Sequence, residues 1–378
     1  MTHRILLVGG GTGGHVYPLI AIARELQKVS QEKGISLELM ALADSGGWRF
    51  EFESQGIKFK RIFTPKLRRV EGGRINLFAF LALPFTLIQA LWLLFVFMPD
   101  LVFSKGSFAS LAPSFIAWLY FIPIFIHESD SVPGMANQFA AKLAKKVFIS
   151  FESAAGHFPA DKTVLSGNPV RENLLNGNKA EAAAYFNFDS GKKTILFLAG
   201  SQGALFINNL LIAGLVQMVK NFQIIHQAGI RNFDSAKQEI EKIKREGSGG
   251  YGFDMKKNYR IFGFLNEEEL KNAYALADII VSRSGSNIFE IAALAKPAIV
   301  IPYPYSAKNH QKENAMEFAK FGAVVLEEQN LKPHILIDQI ERLLKPENYS
   351  AASQKIRRFA NLKGGKMIAN EILNYLNI

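Results

Sequence analysis

No cysteine occurs among the 378 residues, which excludes disulfides, thiolate metal sites, iron–sulfur clusters and cysteine nucleophiles. Acidic residues are also scarce: 33 Asp and Glu stand against 44 Lys and Arg, so the net charge is +11. Such a surface favours an anionic partner, which could be a nucleic acid, a phosphorylated substrate or an acidic lipid. Because 49% of the residues are hydrophobic and 20% are charged, the chain is neither disordered nor fibrous, and its length suggests two domains.

Positive charge and apolar residues are concentrated in one part of the chain. Lys58–Arg74 contains seven basic residues and one acid, and the following 24 residues, Ile75–Met98, carry no charge. Three interpretations are open: a transmembrane span, a buried helix, or a helix lying on a bilayer whose anionic headgroups the basic cluster binds. Polar residues and one proline, Pro84, interrupt the apolar stretch, and we favour association with an anionic membrane surface through Lys58–Met98.

Short apolar runs alternate with helical segments along the whole chain. In the first half, strands are predicted at Ile5–Gly10, Ser36–Ala43, Lys58–Phe63, Asp100–Ser104, Pro123–His127 and Lys146–Ser150. In the second half they are predicted at Thr194–Ala199, Phe222–His226, Tyr259–Phe262, Asp278–Ser282, Ala298–Pro302 and Ala323–Leu326. Strands that alternate with helices pair in parallel. The sequence therefore predicts an α/β protein of two Rossmann-like, doubly wound domains that face each other across a cleft.

The alternation breaks at Ser166–Val170, where Gly, Asn and Pro mark a boundary. We therefore expect an N-terminal domain over residues 1–166 and a C-terminal domain over 167–348. The remaining residues, 349–378, are expected to form a helical tail that packs back towards the N-terminal domain.

Two glycine-rich turns open the two halves, Gly9–His15 (GGGTGGH) and Ala199–Ala204 (AGSQGA). Glycine lets a backbone approach a ligand closely, and the free N–H groups at a helix start attract anions. The first turn also fits the dinucleotide fingerprint with Asp44 as its acidic residue, so a nicotinamide-binding site and a turn without a ligand remain alternatives. Two such turns indicate a ligand gripped from both sides, and Ser201 and Gln202 add donors suited to phosphate oxygens.

His15 directly follows the first glycine turn at a predicted helix start. The helix dipole is expected to lower its pKa and keep the imidazole neutral and basic at pH 7. His15 is therefore the first candidate for a catalytic base, and the alternative is a structural or surface histidine.

Six short segments occur in a fixed order. They are GTGGH at Gly11–His15, HESDxxxGxxN at His127–Asn137, GNPVR at Gly167–Arg171, GSQGA at Gly200–Ala204, RSG…E at Arg283–Glu290 and HQxxNA at His310–Ala315. Together they resemble the MurG family of peripheral membrane glycosyltransferases. The resemblance implies a type B glycosyltransferase fold. It also implies UDP-N-acetylglucosamine as a donor held mainly by the C-terminal half, and lipid I as an acceptor bound mainly by the N-terminal half.

The same resemblance implies roles for individual residues. Glu290 would accept from both ribose hydroxyls, Arg171 would place positive charge near the leaving group, and Gln311 would bind sugar hydroxyls. The other implied substrate contacts are Thr12, Gly13 and Gly14 to phosphates, Ser201 and Gln202 to the diphosphate, Phe264 and Leu265 beside the uracil, and Asp130, Asn137 and Ser286 near the sugars.

The implied reaction is a direct displacement that makes lipid II with inversion at the sugar C1. A base removes the proton from the muramoyl 4-hydroxyl as its oxygen attacks, and N–H groups stabilise the departing UDP. His15 is the first choice of base, with His127 and Glu128 as alternatives. The chain has no D-x-D carboxylate pair, so neither a metal nor a cofactor is expected. The implied location is peripheral, at the cytoplasmic face of the bacterial inner membrane.

Two positions depart from the usual family pattern. The common H-E-Q-N reads His127-Glu128-Ser129-Asp130 here, so an acid replaces an amide donor. This carboxylate could accept from a sugar hydroxyl or support the base. In addition, Arg283–Glu290 is one residue shorter than usual, which shifts the backbone near Ser286.

Four other functions were weighed against this one. A related transferase could use another sugar nucleotide or lipid acceptor, although GNPVR and HQxxNA argue against it. A nicotinamide-dependent dehydrogenase would leave the second glycine turn without a role. A nucleic-acid-binding protein is disfavoured because no recognition motif accompanies the charge. The fourth alternative is an integral membrane protein, in which the apolar stretch would span the bilayer.

Overall fold

The computed structural model describes residues 2–64, 77–200, 203–246 and 251–378. These residues form two compact units. The first unit comprises Met1–Val170 together with Asn361–Ile378, and the second comprises Arg171–Ala360.

The first unit is built on a parallel sheet of seven strands. They are β1 (His3–Val8), β2 (Leu37–Ala43), β3 (Lys58–Arg61), β4 (Leu101–Ser104), β5 (Ile124–Glu128), β6 (Lys146–Ile149) and β7 (Thr163–Leu165), in the spatial order β3-β2-β1-β4-β5-β6-β7. The β1 run Ile5–Val8 is fully buried, as expected for a strand covered by helices on both faces. The chain winds outwards in opposite directions from β1 and β4, so the carboxyl ends of these two strands form the switch point of the sheet.

Five helices of the first unit follow the strands: α1 (Gly13–Glu32), α2 (Arg49–Glu53), α3 (Leu77–Phe97), α4 (Leu111–Leu119) and α5 (Met135–Leu143). The apolar stretch after the basic cluster thus forms α3, which packs against α4. Within the described part of the chain, no helix combines the length and apolarity needed to cross a membrane.

The second unit carries a parallel sheet of six strands. They are β8 (Thr194–Leu198), β9 (Gln223–Gln227), β10 (Tyr259–Phe262), β11 (Ile279–Ser282), β12 (Ala298–Val300) and β13 (Val324–Val325), in the order β10-β9-β8-β11-β12-β13. Its helices are α6 (Lys179–Phe186), α7 (Leu205–Asn221), α8 (Phe233–Glu246), α9 (Tyr251–Asn258), α10 (Glu267–Leu276), α11 (Asn287–Ala293), α12 (His310–Ala319), α13 (Pro333–Leu344) and α14 (Pro346–Arg357). The switch point lies between β8 and β11.

The last helix, α15 (Gly364–Tyr375), belongs to the first unit and packs against α1. Four of its side chains join the core of that unit: Ile368, Ala369, Ile372 and Leu373. Its first residue must be glycine, because a Cβ on Gly364 would overlap the carbonyl oxygen of Ser166. The Asn361 side chain donates to the same oxygen at 2.8 Å, so two contacts fix the point where the chain returns.

The predicted α/β class with two doubly wound parallel sheets is confirmed. The unit boundary differs from the expected domain boundary and lies at Val170, because Gly167 and Asn168 are hydrogen-bonded to side chains of the first unit. The tail is also divided, since α14 stays with the second unit and buries Ala352 and Ile356 there.

Candidate functional site

The first glycine turn lies at the carboxyl end of β1, at the switch point of the first sheet. A Cβ on Gly10 would lie 2.5 Å from Asp44 Oδ1, and Gly11 has a φ of +85°, so both positions require glycine. The Gly11 N–H donates to Asp44 Oδ1 at 2.8 Å. Asp44, the acid that the nicotinamide alternative invoked, therefore shapes the turn.

The predicted phosphate contacts and the first base candidate follow within this turn. Thr12 is exposed and precedes the first residue of α1, Gly13, which is buried, while Gly14 is half-buried. His15 is half-buried, and its Nδ1 lies 3.4 Å from Thr12 Oγ1. The first-turn N–H groups of α1 and a histidine thus occupy one short segment, which suits an anion beside a proton acceptor.

The two alternative base candidates, His127 and Glu128, are consecutive residues of β5, and both side chains are hydrogen-bonded within the first unit. His127 Nε2 donates to the Gly167 carbonyl at 3.0 Å, and its Nδ1 lies 2.7 Å from Lys105 Nζ. Burial and Lys105 lower the pKa of His127 well below 6.5. Both ring nitrogens therefore have partners inside the unit, so that His15 stays the first base candidate.

Glu128 anchors the loop that follows β5. Its Oε1 accepts the Asp130 N–H at 2.9 Å, and its Oε2 accepts from the Gly134 N–H at 3.1 Å and from Asn137 Nδ2 at 3.0 Å. Asn137 is buried and also donates to the His127 carbonyl. Burial and the neighbouring Asp130 raise the pKa of Glu128. The HESD…N segment is thus held together by hydrogen bonds, with His127, Glu128 and Asn137 buried and Asp130 half-exposed.

In the second unit, Arg171 and Glu290 form a buried ion pair. Arg171 Nε donates to Glu290 Oε1 at 2.8 Å and a terminal nitrogen donates to Oε2 at 3.1 Å. The fully buried Tyr274 hydroxyl donates to Oε2 as well, at 3.1 Å. Arg171 and Glu290 lie 119 positions apart in the chain. Their two parallel hydrogen bonds form a bidentate pair that fixes the orientation of the carboxylate.

The second glycine turn follows β8 and precedes α7. Gly200 and Gly203 have φ of +75° and +85°, whereas Ser201 and Gln202 lie outside the described residues. A Cβ on Gly203 would lie 2.9 Å from the Ala228 carbonyl oxygen, so the turn presses against the end of β9.

A buried polar chain supports this turn from behind. The Tyr259 hydroxyl donates to His226 Nδ1 at 2.7 Å, His226 Nε2 donates to Asn208 Oδ1 at 2.9 Å, and Asn208 Nδ2 donates to the Ala228 carbonyl at 2.9 Å. Burial lowers the pKa of His226 to about 3, so the imidazole is neutral. This series of hydrogen bonds fixes the start of α7 to the carboxyl end of β9.

The remaining predicted contacts lie at the same edge of the second sheet. Leu265 is buried and Phe264 is half-buried between β10 and α10. Ser286 is half-buried directly before α11. Gln311, in the first turn of α12, accepts the Tyr303 N–H on its side chain at 3.0 Å, which ties α12 to the segment after β12. A ring, a hydroxyl and an amide thus follow strands of the second sheet at their carboxyl ends.

One candidate was missed by the sequence analysis. Lys105 follows β4, is 1% exposed and contacts the His127 ring. The sequence did contain an indication of this residue, because a lysine follows directly on the apolar strand in the segment DLVFSKG. Among the described residues, no group of three or more His, Asp or Glu side chains is arranged to hold a metal ion.

Family models and named relatives match both units of the chain. The models of the glycosyltransferase family 28 N-terminal and C-terminal domains match residues 5–149 and 194–370. A relative from Halothermothrix orenii, named UDP-N-acetylglucosamine–N-acetylmuramyl-(pentapeptide) pyrophosphoryl-undecaprenol N-acetylglucosamine transferase, is 34% identical over 99% of this chain and 98% of its own. A relative of the same name from Flavobacterium psychrophilum is 34% identical over 98% and 97%. The chain belongs to the MurG family.

Solved structures share the fold of this MurG-family chain. The crystal structure of Acinetobacter baumannii MurG superposes with a TM-score of 0.70 at 23% identity, covering 98% of this chain and 99% of that one. A UDP-GlcNAc 2-epimerase from Neisseria meningitidis, bound to UDP-GlcNAc, gives 0.69 at 16% identity and covers 98% and 100%. The predicted family and its glycosyltransferase class are confirmed.

The neutral His226 predicts an acid-sensitive second unit. The unfolded chain binds this proton near pH 6.5 and the folded unit only near pH 3, so protons favour unfolding between those values. Stability should fall by about 1.4 kcal/mol per pH unit in that window. The free energy of unfolding, measured in urea between pH 4 and 7, should depend less steeply on pH in His226→Gln. The control His334→Gln, at an exposed position, should keep the wild-type dependence. Equal slopes in wild type and His226→Gln would contradict the assignment.

Proposed function

We propose that the chain transfers N-acetylglucosamine from UDP-N-acetylglucosamine to the muramoyl 4-hydroxyl of lipid I, forming lipid II for peptidoglycan synthesis. The observation that carries the proposal is the match to relatives named for this transfer over nearly their full length and over both units. A transferase needs a donor site and an acceptor site, and each unit supplies a glycine turn at its switch point.

The donor is proposed to bind the second unit through Glu290. A carboxylate offers about four acceptor positions, and Arg171 and Tyr274 occupy three of them. Binding both ribose hydroxyls therefore displaces at least one of these bonds. An Arg171 released from the carboxylate carries a permanent positive charge, which is the charge expected beside the leaving diphosphate.

The acceptor is proposed to bind the first unit through its glycine turn. The N–H groups of Thr12, Gly13 and Gly14 lie at the start of α1, where an anionic pyrophosphate is stabilised by the helix dipole. His15 accepts the proton of the 4-hydroxyl as its oxygen bonds to C1. The C1–O bond to UDP breaks in the same displacement, with inversion, and UDP leaves with the electron pair.

The transfer of labelled N-acetylglucosamine to a lipid I analogue, with EDTA present, tests the proposal. Wild type should form labelled disaccharide-lipid. His15→Ala should lose about 10²- to 10⁴-fold in kcat, the usual contribution of a general base, while the exposed His157→Ala should keep full activity. Folded wild type that transfers nothing would reject the proposed function, and an active His15→Ala would reject only this base.

Removing the charge of Glu290 separates donor binding from the rest of the site. Glu290→Gln should raise the KM for UDP-N-acetylglucosamine about tenfold or more, because charge-assisted hydrogen bonds contribute about 1.5–3 kcal/mol each. It should also lower the thermal midpoint, since the buried ion pair between Arg171 and Glu290 is broken. UDP should stabilise wild type and the exposed control Glu313→Gln much more than this variant. An unchanged KM would contradict the role of Glu290.

Membrane attachment is proposed to use one face of α3 with α4. Large apolar side chains recur at three- or four-residue spacing on α3 and remain exposed: Phe85, Ile88, Trp92 and Phe95. On and beyond α4, Phe115, Trp118, Leu119 and Phe121 are exposed as well. A contiguous apolar surface of this size marks an interaction site, and a polyprenyl-linked acceptor requires one at a bilayer.

The basic end of β3 adjoins this apolar face. The Gln89 side chain on α3 accepts the Phe63 N–H at 2.7 Å and donates to the Arg61 carbonyl at 2.9 Å. Lys60 and Arg61 are exposed there, while the other basic residues of the cluster, from Lys66 onwards, lie outside the described residues. Cations beside an apolar face suit a peripheral enzyme on the anionic cytoplasmic leaflet.

Vesicle flotation tests this surface directly. The double variant Trp92→Ser, Phe95→Ser should weaken binding to vesicles that contain anionic lipid by about tenfold or more. Burying one large apolar side chain contributes roughly 1.5–3 kcal/mol of binding free energy. The matched change Met316→Ser, on an exposed residue of the second unit, should leave binding intact. Undiminished flotation of the double variant would place the attachment elsewhere.

A further inference from the structure

Lys105 is a fully buried lysine for which the proposed reaction has no role. Its backbone N–H donates to the Val8 carbonyl at 2.8 Å, which joins the ends of β4 and β1. A Cβ on Gly9 would lie 3.3 Å from Lys105 Cβ, so the lysine packs against the first residue of the glycine turn. A cation is thus enclosed directly beside the proposed acceptor site.

The hydrogen bonds of Lys105 define the state of His127. The Gly167 carbonyl, 3.0 Å from Nε2, can only accept, so Nε2 carries the ring proton. Nδ1 is then an acceptor and receives a hydrogen from Lys105 Nζ at 2.7 Å. A second ammonium hydrogen reaches Asn168 Oδ1 at 3.4 Å. Lys105 therefore bonds both to the ring and to the segment that the ring holds.

A buried ammonium needs a compensating charge, because an isolated one is costly to remove from water. Two carboxylates act on it, Glu128 and Asp130, and both favour its charged form against the effect of burial, leaving a pKa of about 8. Glu128 already accepts three N–H bonds from its own loop. Asp130, whose backbone is bonded to Glu128, adds a second carboxylate at a position where the family usually has a neutral amide.

We propose that Lys105 is a positioning residue of the acceptor site, which fixes His127 as the Nε2–H tautomer and with it the Gly167–Asn168 segment, and that the carboxylates of Glu128 and Asp130 together balance its charge. The proposal rests on the proposed function for its effect on catalysis, but not for the structure of the pair.

A double-mutant cycle tests the pairing. Lys105→Met removes the cation on which Glu128 and Asp130 act, and Asp130→Asn removes one of these two negative charges. Each should lower kcat/KM for the lipid acceptor by about tenfold, and the double variant should also lose about tenfold instead of the hundredfold product, as expected for coupled residues. Losses that multiply in the double variant would overturn the pairing.

The tautomer is tested without any activity measurement. In histidine labelled with ¹⁵N, His127 should appear at pH 7 as a neutral ring protonated on Nε2. Lys105→Met should shift its Nδ1 resonance, and the exposed control Lys145→Met should not. An imidazolium or an Nδ1–H ring in wild type would overturn the positioning role. The same cycle followed by urea unfolding should show the coupling even if wild type transferred no sugar, so the two proposals fail separately.

Discussion

In a parallel sheet covered on both faces, polar groups can reach a ligand only where the strands end. Both units obey this constraint, and it decides where their chemistry lies. The first glycine turn follows β1, Glu128 ends β5, and the second glycine turn follows β8. The fully buried strand interiors set the positions of these ends and have no other part in the site. A shift of one strand by a single residue would therefore move a glycine turn or a carboxylate away from the edge at which the site forms.

Each unit encloses a cation near its site, and the two cations are stabilised differently. Arg171 forms a bidentate pair with Glu290, which suits a planar guanidinium that cannot lose its proton. Lys105 instead donates to a neutral imidazole, and the charges of Glu128 and Asp130 favour its charged form. A lysine can adjust its pKa to burial whereas an arginine cannot, so the pair around Arg171 is bonded directly. Glu290 accepts three hydrogen bonds and so does Glu128, so both carboxylates are held in place before any ligand binds.

Much of the fold could be predicted because local patterns determine it. Apolar runs ending in glycine predicted the strands at both switch points, and their alternation with helices predicted parallel pairing. The short, partly exposed strand β7 gave no such pattern and was missed. The site was predicted as a set of segments but not as a set of bonds. The contacts between Arg171 and Glu290, and between Lys105 and His127, join distant positions whose meeting depends on tertiary packing, which no periodicity records.

Helix α3 is a second case in which tertiary packing, and not the sequence pattern, decides which side chains are exposed. Its sequence is apolar nearly all round, so periodicity could not separate a buried face from an exposed one. Packing makes the separation: Ala90, Leu94 and Phe97 enter the core, while Trp92 and Phe95 remain in solvent. One helix can therefore hold the sheet with one face and offer the other to a bilayer. Since the buried face already anchors the helix, the exposed aromatic side chains are free of any demand from folding. Their apolar character suits the membrane attachment proposed for this face.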